Sequence, residues 1–171
     1  METTKNALPP NTKKFFYNLG EYLDTKVLFY GSVQRLDYVP GKSDIDVVIF
    51  TDNEDSLLTK IQHHLHLKKK KIKKIMYIID GNVVYGSKVK YENKKENIKA
   101  EFSIYNDNYK DTIIKQHRKK FVLPAYISVM LYLLKTFYYK IPILSKSVYI
   151  DSKNWLLNLV DNPGTQFIVL N

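Results

Sequence analysis

Two short apolar segments separated by a polar loop dominate the first third of this 171-residue chain. Residues 27–30 form the first segment, which ends at Gly31-Ser32, and residues 45–50 form the second. Both are typical of buried β-strands. Because side chains alternate along a strand, Asp44 and Asp46 are predicted to point to one side and Ile45 to the other. A small turn and two carboxylates are therefore expected close together.

This pair of carboxylates predicts a metal site. Two acids about 7 Å apart along a rigid strand can converge on one or two hard divalent cations. Carboxylates in a buried strand also carry a high desolvation cost unless a cation compensates it. The chain has no cysteine, so thiolate sites and disulfides are excluded and oxygen ligands remain. The expected ion is Mg²⁺ or Mn²⁺.

The order of these elements resembles the signature of the polymerase-beta-like nucleotidyltransferases, which is a strand, Gly-Ser, a variable loop, and Asp-hydrophobic-Asp-hydrophobic. Here it reads FYGS…SDIDVVIF. The resemblance implies a metal-dependent enzyme that moves a nucleoside monophosphate from an NTP or dNTP to an acceptor hydroxyl by a two-metal mechanism. It implies that Gly31 and Ser32 bind the triphosphate, and that Asp44 and Asp46 bind metal. Arg35 and Lys42 in the loop are candidate phosphate contacts, although exposed loop cations are the favoured explanation of both.

The resemblance also implies a third carboxylate on a later strand, and Glu101 is the candidate. Residues 98–105 alternate between apolar and polar side chains, which places Glu101 alone on the polar side of a predicted strand. Asp80 is the rival, but an Asp-Gly turn explains it without a metal. Glu101 departs from the family pattern, in which the third acid is usually Asp.

The net charge of +10 and a pI near 9.5 permit binding to DNA or RNA. An AT-rich genome would enrich lysine in the same way, and the run at 68–74 is also explained as solvated charge. The N-terminus has no apolar core of a signal peptide, and the absence of cysteine fits a reducing compartment, so an intracellular location is expected.

The remaining patterns predict an α+β fold, with a mixed β-sheet, flanking helices and additional C-terminal helices. The predicted nucleotidyltransferase core covers residues 1–106, with 1–10 mobile, and a helical part of the same domain covers 107–171. Helices are predicted near 107–121, 124–139 and 152–160, and a turn at 162–164. Helix 124–139 is about 24 Å long, too short for a ~30 Å hydrocarbon core, so no membrane contact is expected.

Three functions stay open at this stage. Compact family X repair polymerases are similar in size, charge and the Gly-Ser-x-x-Arg start, but no aromatic-Thr-Gly-Ser segment follows the Glu101 strand. Minimal nucleotidyltransferases that modify a protein or a small molecule fit the length equally well. A non-catalytic binding or scaffold module is the third alternative, and intact Asp44 and Asp46 count against it.

Overall fold

A computed structural model describes residues 1–160 and 165–170, which form a six-stranded mixed sheet with helices on both faces. The strand order is β1-β2-β5-β4-β3-β6. The strands are β1 Leu28–Tyr30, β2 Ile45–Thr51, β3 Ile72–Ile79, β4 Asn82–Asn93, β5 Ile98–Asn106 and β6 Gln166–Leu170. The helices are α1 Pro10–Leu23, α2 Glu54–His64, α3 Lys110–Lys119, α4 Ala125–Tyr139 and α5 Lys146–Asn158. The predicted α+β class is confirmed.

Opposite faces of the sheet bury two separate apolar clusters. On one face, α1 and α2 pack against alternate residues of β2 and β5, which include Val47, Ile49 and Phe102. On the other face, Ile113 of α3 packs against a set that includes Val48. Because β2 is buried on both faces, its one charged residue lies near the end where the strand begins. That end carries Asp46.

The pairing of β1, β2 and β5 determines where the polar residues meet. Strand β1 pairs antiparallel with β2, which places Tyr30 beside Asp46. Strand β2 pairs parallel with β5, which places Asp46 beside Glu101. Cross-strand partners share a face, so all three side chains project to the α3 side of the sheet. Val47 and Phe102 project to the α1–α2 side.

The first residues of the chain run beside the Gly-Ser turn. The backbone N–H of Phe29 donates to the carbonyl of Met1 at 2.7 Å, and Asn6 donates from Nδ2 to the carbonyls of Val33 and Arg35 at 2.9 and 2.7 Å. The mobility predicted for residues 1–10 stays a prediction, and these hydrogen bonds connect the segment to the outer edge of β1. Its contacts support the backbone that leads into the turn.

Four polar residues form a buried network that joins the loop before β2 to α4. Asp37 accepts from Arg35 Nε at 2.8 Å and pairs with Lys135 Nζ at 2.9 Å. Lys135 also donates to Ser43 Oγ at 3.2 Å. Burial opposes ionisation of Asp37, but the two cations outweigh it and lower the pKa of that carboxyl. The network fixes both ends of the loop and the helix packed beside it.

The structure differs from the sequence-based elements mainly near the C-terminus. Helix α5 begins at Lys146 rather than near 152, because Ser145 caps it by accepting from the N–H of Val148 at 3.3 Å. Strand β6 was not predicted, so the part after residue 106 is not only helical. The predicted turn at 162–164 lies outside the described residues. Within residues 1–160 and 165–170, every helix is too short or too polar to cross a membrane.

Candidate active site

Gly31 and Asp46 are in direct contact, which joins the Gly-Ser turn to the Asp-x-Asp strand. Gly31 follows β1 and begins a short 3-10 turn with a φ of +71°. A Cβ at this position would overlap the Oδ2 atom of Asp46, and the backbone conformation is one that only glycine adopts without strain. Glycine is therefore required here for two independent reasons.

The carboxyl group of Asp46 is the most perturbed acid in the described part of the chain. Burial and then the nearby carboxylate of Glu101 raise the pKa of Asp46 to about 6, and Asp44 adds to the same effect. Lys153 of α5 and Lys88 of β4 act in the opposite direction. An anion that is destabilised by burial and by like charge is suited to binding a cation.

Both carboxylate oxygens of Glu101 are engaged by lysines. Lys88 Nζ lies 2.5 Å from Oε1, and Lys90 Nζ lies 3.2 Å from Oε2. Burial opposes ionisation, but these two cations outweigh it and lower the pKa of Glu101. Among the described residues, no three acids or histidines lie close enough to hold a metal ion. In this structure the Glu101 carboxylate is therefore bound by two lysines rather than free to bind a metal ion.

The other predicted site residues are placed as follows. Ser32 is buried in the 3-10 turn beside Gly31. Asp44 is exposed just before β2, near Tyr139 and Tyr149 of the two C-terminal helices. Lys42 is exposed in the loop. Arg35 is not a solvated loop cation, because it is buried and paired with Asp37. The rival acid Asp80 lies in the β3–β4 turn, 3.9 Å from Lys119.

The structure adds residues that the sequence did not indicate. The Tyr30 hydroxyl lies 3.0 Å from Ser103 Oγ, and the Tyr30 ring stacks on His117 with centroids 3.9 Å apart. Burial lowers the pKa of His117 to about 3, so the ring is neutral near pH 7. The Nε2 atom of His117 is buried and has no hydrogen-bond partner among the described residues. Strand periodicity alone could have placed Lys88 and Lys90 on one face, but only the register places them against Glu101.

We expect the pH dependence of stability to report on Asp46. Its folded-state pKa of about 6 lies above the ordinary 3.8, so the unfolded chain loses its proton first. Stability should therefore fall as pH rises from about 4 to about 6 and remain lower above that range. The measurement is urea unfolding of the wild type and of Asp46→Asn at pH 4.5 and pH 7.5, in EDTA. Between these two pH values the free energy of unfolding of the wild type should fall by about 2 kcal/mol more than that of the variant. Parallel pH profiles would contradict this.

Comparison with curated sequences and with solved structures gives no strong match. No curated protein sequence matches the chain. Among solved structures, the RNA terminal uridylyl transferase Cid1 gives a TM-score of 0.34 at 11% identity, over 75% of this chain and 37% of that chain. The GLD-2/RNP-8 complex gives 0.33 at 13% identity, over 91% and 59%. The chain thus spans less than two thirds of either neighbour, and scores this low carry no argument about the fold.

Comparison with models of protein families, by contrast, gives a match to most of the chain. The model of the nucleotidyltransferase domain family matches residues 11–144. That range contains the Gly-Ser turn, Asp44, Asp46 and Glu101, together with all of the sheet except β6. The chain belongs to the nucleotidyltransferase domain family.

Proposed function

We propose that this chain transfers a nucleoside monophosphate from a nucleoside triphosphate to an acceptor hydroxyl in a metal-dependent reaction. The observation that carries the proposal is the contact between Gly31 and Asp46, with Glu101 on the adjacent strand. A turn that could bind phosphate therefore lies beside carboxylates that could bind a cation, and we call this proposed site the Gly31–Asp46 groove. Family membership supports the same reaction class.

The residues present fit a divalent cation at Asp46 and Asp44. Asp46 is half-buried, and burial of its carboxyl followed by the charge of Glu101 raises its pKa, with a further contribution from the exposed Asp44. Carboxylate oxygens are the ligands that Mg²⁺ and Mn²⁺ prefer. We propose Glu101 as a further ligand, whose carboxylate must first separate from Lys88 and Lys90. We also propose that two metal ions act at this site, as the resemblance to the polymerase-beta-like nucleotidyltransferases implies.

The chain's own groups would then divide the work. The Gly31 and Ser32 backbone N–H groups, with the Ser32 hydroxyl, bind and orient the triphosphate. Asp44 and Asp46 would hold a divalent cation, which would supply charge to favour deprotonation of the acceptor hydroxyl and to neutralise the leaving pyrophosphate. Lys153 and Lys88, whose charges already act on Asp46, keep its carboxylate ionised near neutral pH. No histidine base is required, and the buried, neutral His117 supports the position of Tyr30 instead.

The lysines on Glu101 give a specific expectation for metal affinity. Removing Lys88 frees one carboxylate oxygen and removes a positive charge from the site, so Lys88→Met should tighten Mn²⁺ binding by about 10-fold. Mn²⁺ titration followed by electron paramagnetic resonance measures this without any turnover. Lys68→Met, at an exposed position beyond α2, has the same change in net charge and should leave the affinity within twofold. Weaker Mn²⁺ binding by Lys88→Met would exclude Glu101 as a ligand.

The reaction itself is tested with α-labelled nucleoside triphosphates and deoxynucleoside triphosphates. Each is incubated with the protein, Mg²⁺ and, separately, DNA, RNA or no added acceptor. We expect label to become attached to an acceptor with release of pyrophosphate, and EDTA to abolish it. Tight binding of a triphosphate with no label transferred to nucleic acid, protein or small molecules would favour the non-catalytic alternative and contradict the proposal.

A further inference from the structure

A line of lysines runs from Glu101 across the sheet on the same face as the acids. Lys90 of β4 is the cross-strand partner of Glu101, and Lys88 is the partner of Ser103 two residues along β5. On the next strand, Lys73 of β3 is the partner of Lys88. Cross-strand partners share a face, so the three lysines lie on the side to which Asp46 and Glu101 project.

Two aromatic rings lie at the far end of this line. Tyr77 of β3 and Phe167 of β6 are cross-strand partners whose ring centroids are 5.2 Å apart. The Phe167 residue is 42% exposed, and Lys88 Nζ lies 4.8 Å from the centre of its ring. An exposed ring with a cation beside it offers a face on which a base can stack. We call Lys73, Lys88, Lys90, Tyr77 and Phe167 the basic–aromatic surface.

Two of the three lysines on this surface, Lys73 and Lys90, are accessible to a ligand, whereas Lys88 is largely buried and paired with Glu101. The Lys73 residue is exposed, and the Lys90 side chain is 71% exposed although it contacts Glu101. The acid nearest along β4, Glu92, is paired with Lys99 at 4.0 Å. By contrast, Lys74 points to the other face and lies 3.9 Å from Asp55. The lysine run at 68–74 is therefore divided between the two faces, and Lys73 belongs to the face that carries the acids.

The dimensions and chemistry of the surface fit a strand of nucleic acid. From β2 to β6 the sheet spans four interstrand spacings, or about 19 Å, which is enough for a few nucleotides. Lysines bind successive phosphates, while an exposed ring stacks on a base. Stacking requires bases that are not already paired, which favours a single strand over a duplex. One end of the bound strand would lie at Asp46.

We propose that the basic–aromatic surface binds single-stranded nucleic acid and presents its terminal hydroxyl to the Gly31–Asp46 groove as the acceptor. This rests on the proposed function for the identity of the reaction. The inference goes beyond the proposed function because it names the class of the acceptor and the surface that binds the acceptor. The recognition is independent of sequence, because neither phosphate contacts nor stacking reads base edges.

The test measures binding of a fluorescent 12-nucleotide single strand by anisotropy at about 50 mM salt and upwards. Lys73→Gln combined with Lys90→Gln should weaken binding at least 10-fold and reduce the salt slope by about 1.4, or 0.7 per lost contact. Phe167→Ala should weaken it about 10-fold with little change in that slope. The matched control is Lys13→Gln with Lys14→Gln on α1, on the opposite face, which should stay within twofold.

Equal loss of affinity in the Lys73/Lys90 and Lys13/Lys14 variants would overturn the inference, because it would show diffuse charge rather than a defined surface. Equal affinity for duplex and single strand would overturn the single-strand assignment, as would label transferred only to protein. A thermal shift of the wild type with Mg²⁺ and triphosphate separates this inference from the proposed function. A shift without oligonucleotide binding overturns the inference alone. Oligonucleotide binding that depends on Lys73 and Lys90, without a shift, supports the surface and overturns the proposed function.

Discussion

Asp46→Asn should reduce nucleotidyl transfer by at least 1,000-fold while leaving the fold intact. The amide removes a negative charge from a carboxyl group that contacts the Gly-Ser turn and lies beside Glu101 on the neighbouring strand. A bound cation contributes several kcal/mol of transition-state stabilisation, and each 1.36 kcal/mol is a tenfold change in rate. The measurement is the initial rate of pyrophosphate release under saturating Mg²⁺ and triphosphate. Circular dichroism of both proteins checks that the fold is retained.

A second acid close in sequence provides the matched control for this variant. Asp52 is exposed in the turn after β2, beyond the buried part of the strand. Asp52→Asn makes the same chemical change and should keep the rate within about twofold. An Asp46→Asn protein that retains more than a tenth of the wild-type rate would show that the reaction does not depend on this carboxylate. The active site would then have to be sought elsewhere in the chain.

Asp37→Asn should lower the free energy of unfolding by about 3–5 kcal/mol. The variant keeps the size of the side chain but leaves the buried cations Arg35 and Lys135 without their shared anion. Breaking a buried ion pair by removing one partner has this cost, because the remaining charges cannot be solvated. For a chain of this length the melting temperature should fall by roughly 10 °C. Urea unfolding and calorimetry measure the two quantities.

An exposed ion pair of similar length is the control for the buried one. Lys26 Nζ lies 2.8 Å from Glu2 Oε1, the same separation as Arg35 Nε and Asp37, but both side chains are largely exposed. Lys26→Met should leave stability unchanged within error, because water solvates the remaining carboxylate. If Asp37→Asn and Lys26→Met had equal effects, the buried network would not hold the loop before β2.

The strands at the centre of the site could be predicted because their signals are local. The alternation of apolar and polar side chains predicted the face of Asp46 on β2 and of Glu101 on β5, and the two are cross-strand partners, whereas Asp44 lies just before β2. Two neighbouring strands with a buried face tolerate only one register, since a shift of one residue would turn the acids towards α1 and α2. The Gly31 position was predictable for the same reason, as a small residue at the end of an apolar strand.

The contacts made across long sequence distances were not predictable. Asp37 and Lys135 are 98 positions apart, and nothing in either segment indicates its partner. Pairing of Lys88 and Lys90 with Glu101 depends on the β4–β5 register, which the turn between the strands decides. Strand β6 is five residues long and pairs with β3 from the far end of the chain. Its sequence is apolar enough for a strand, but a five-residue segment after the last helix carries no periodic signal of its own.

The most direct test is a crystal structure of the protein with Mn²⁺ and a non-hydrolysable nucleoside triphosphate. Anomalous scattering locates Mn²⁺ independently of any assumption about its ligands. We predict an anomalous peak coordinated by carboxylate oxygens of Asp44 and Asp46, with triphosphate oxygens on the backbone N–H groups of Gly31 and Ser32. We also predict that Lys88 will have left Glu101. A triphosphate bound away from this groove, or Mn²⁺ bound without Asp46, would contradict the assignment of the active site.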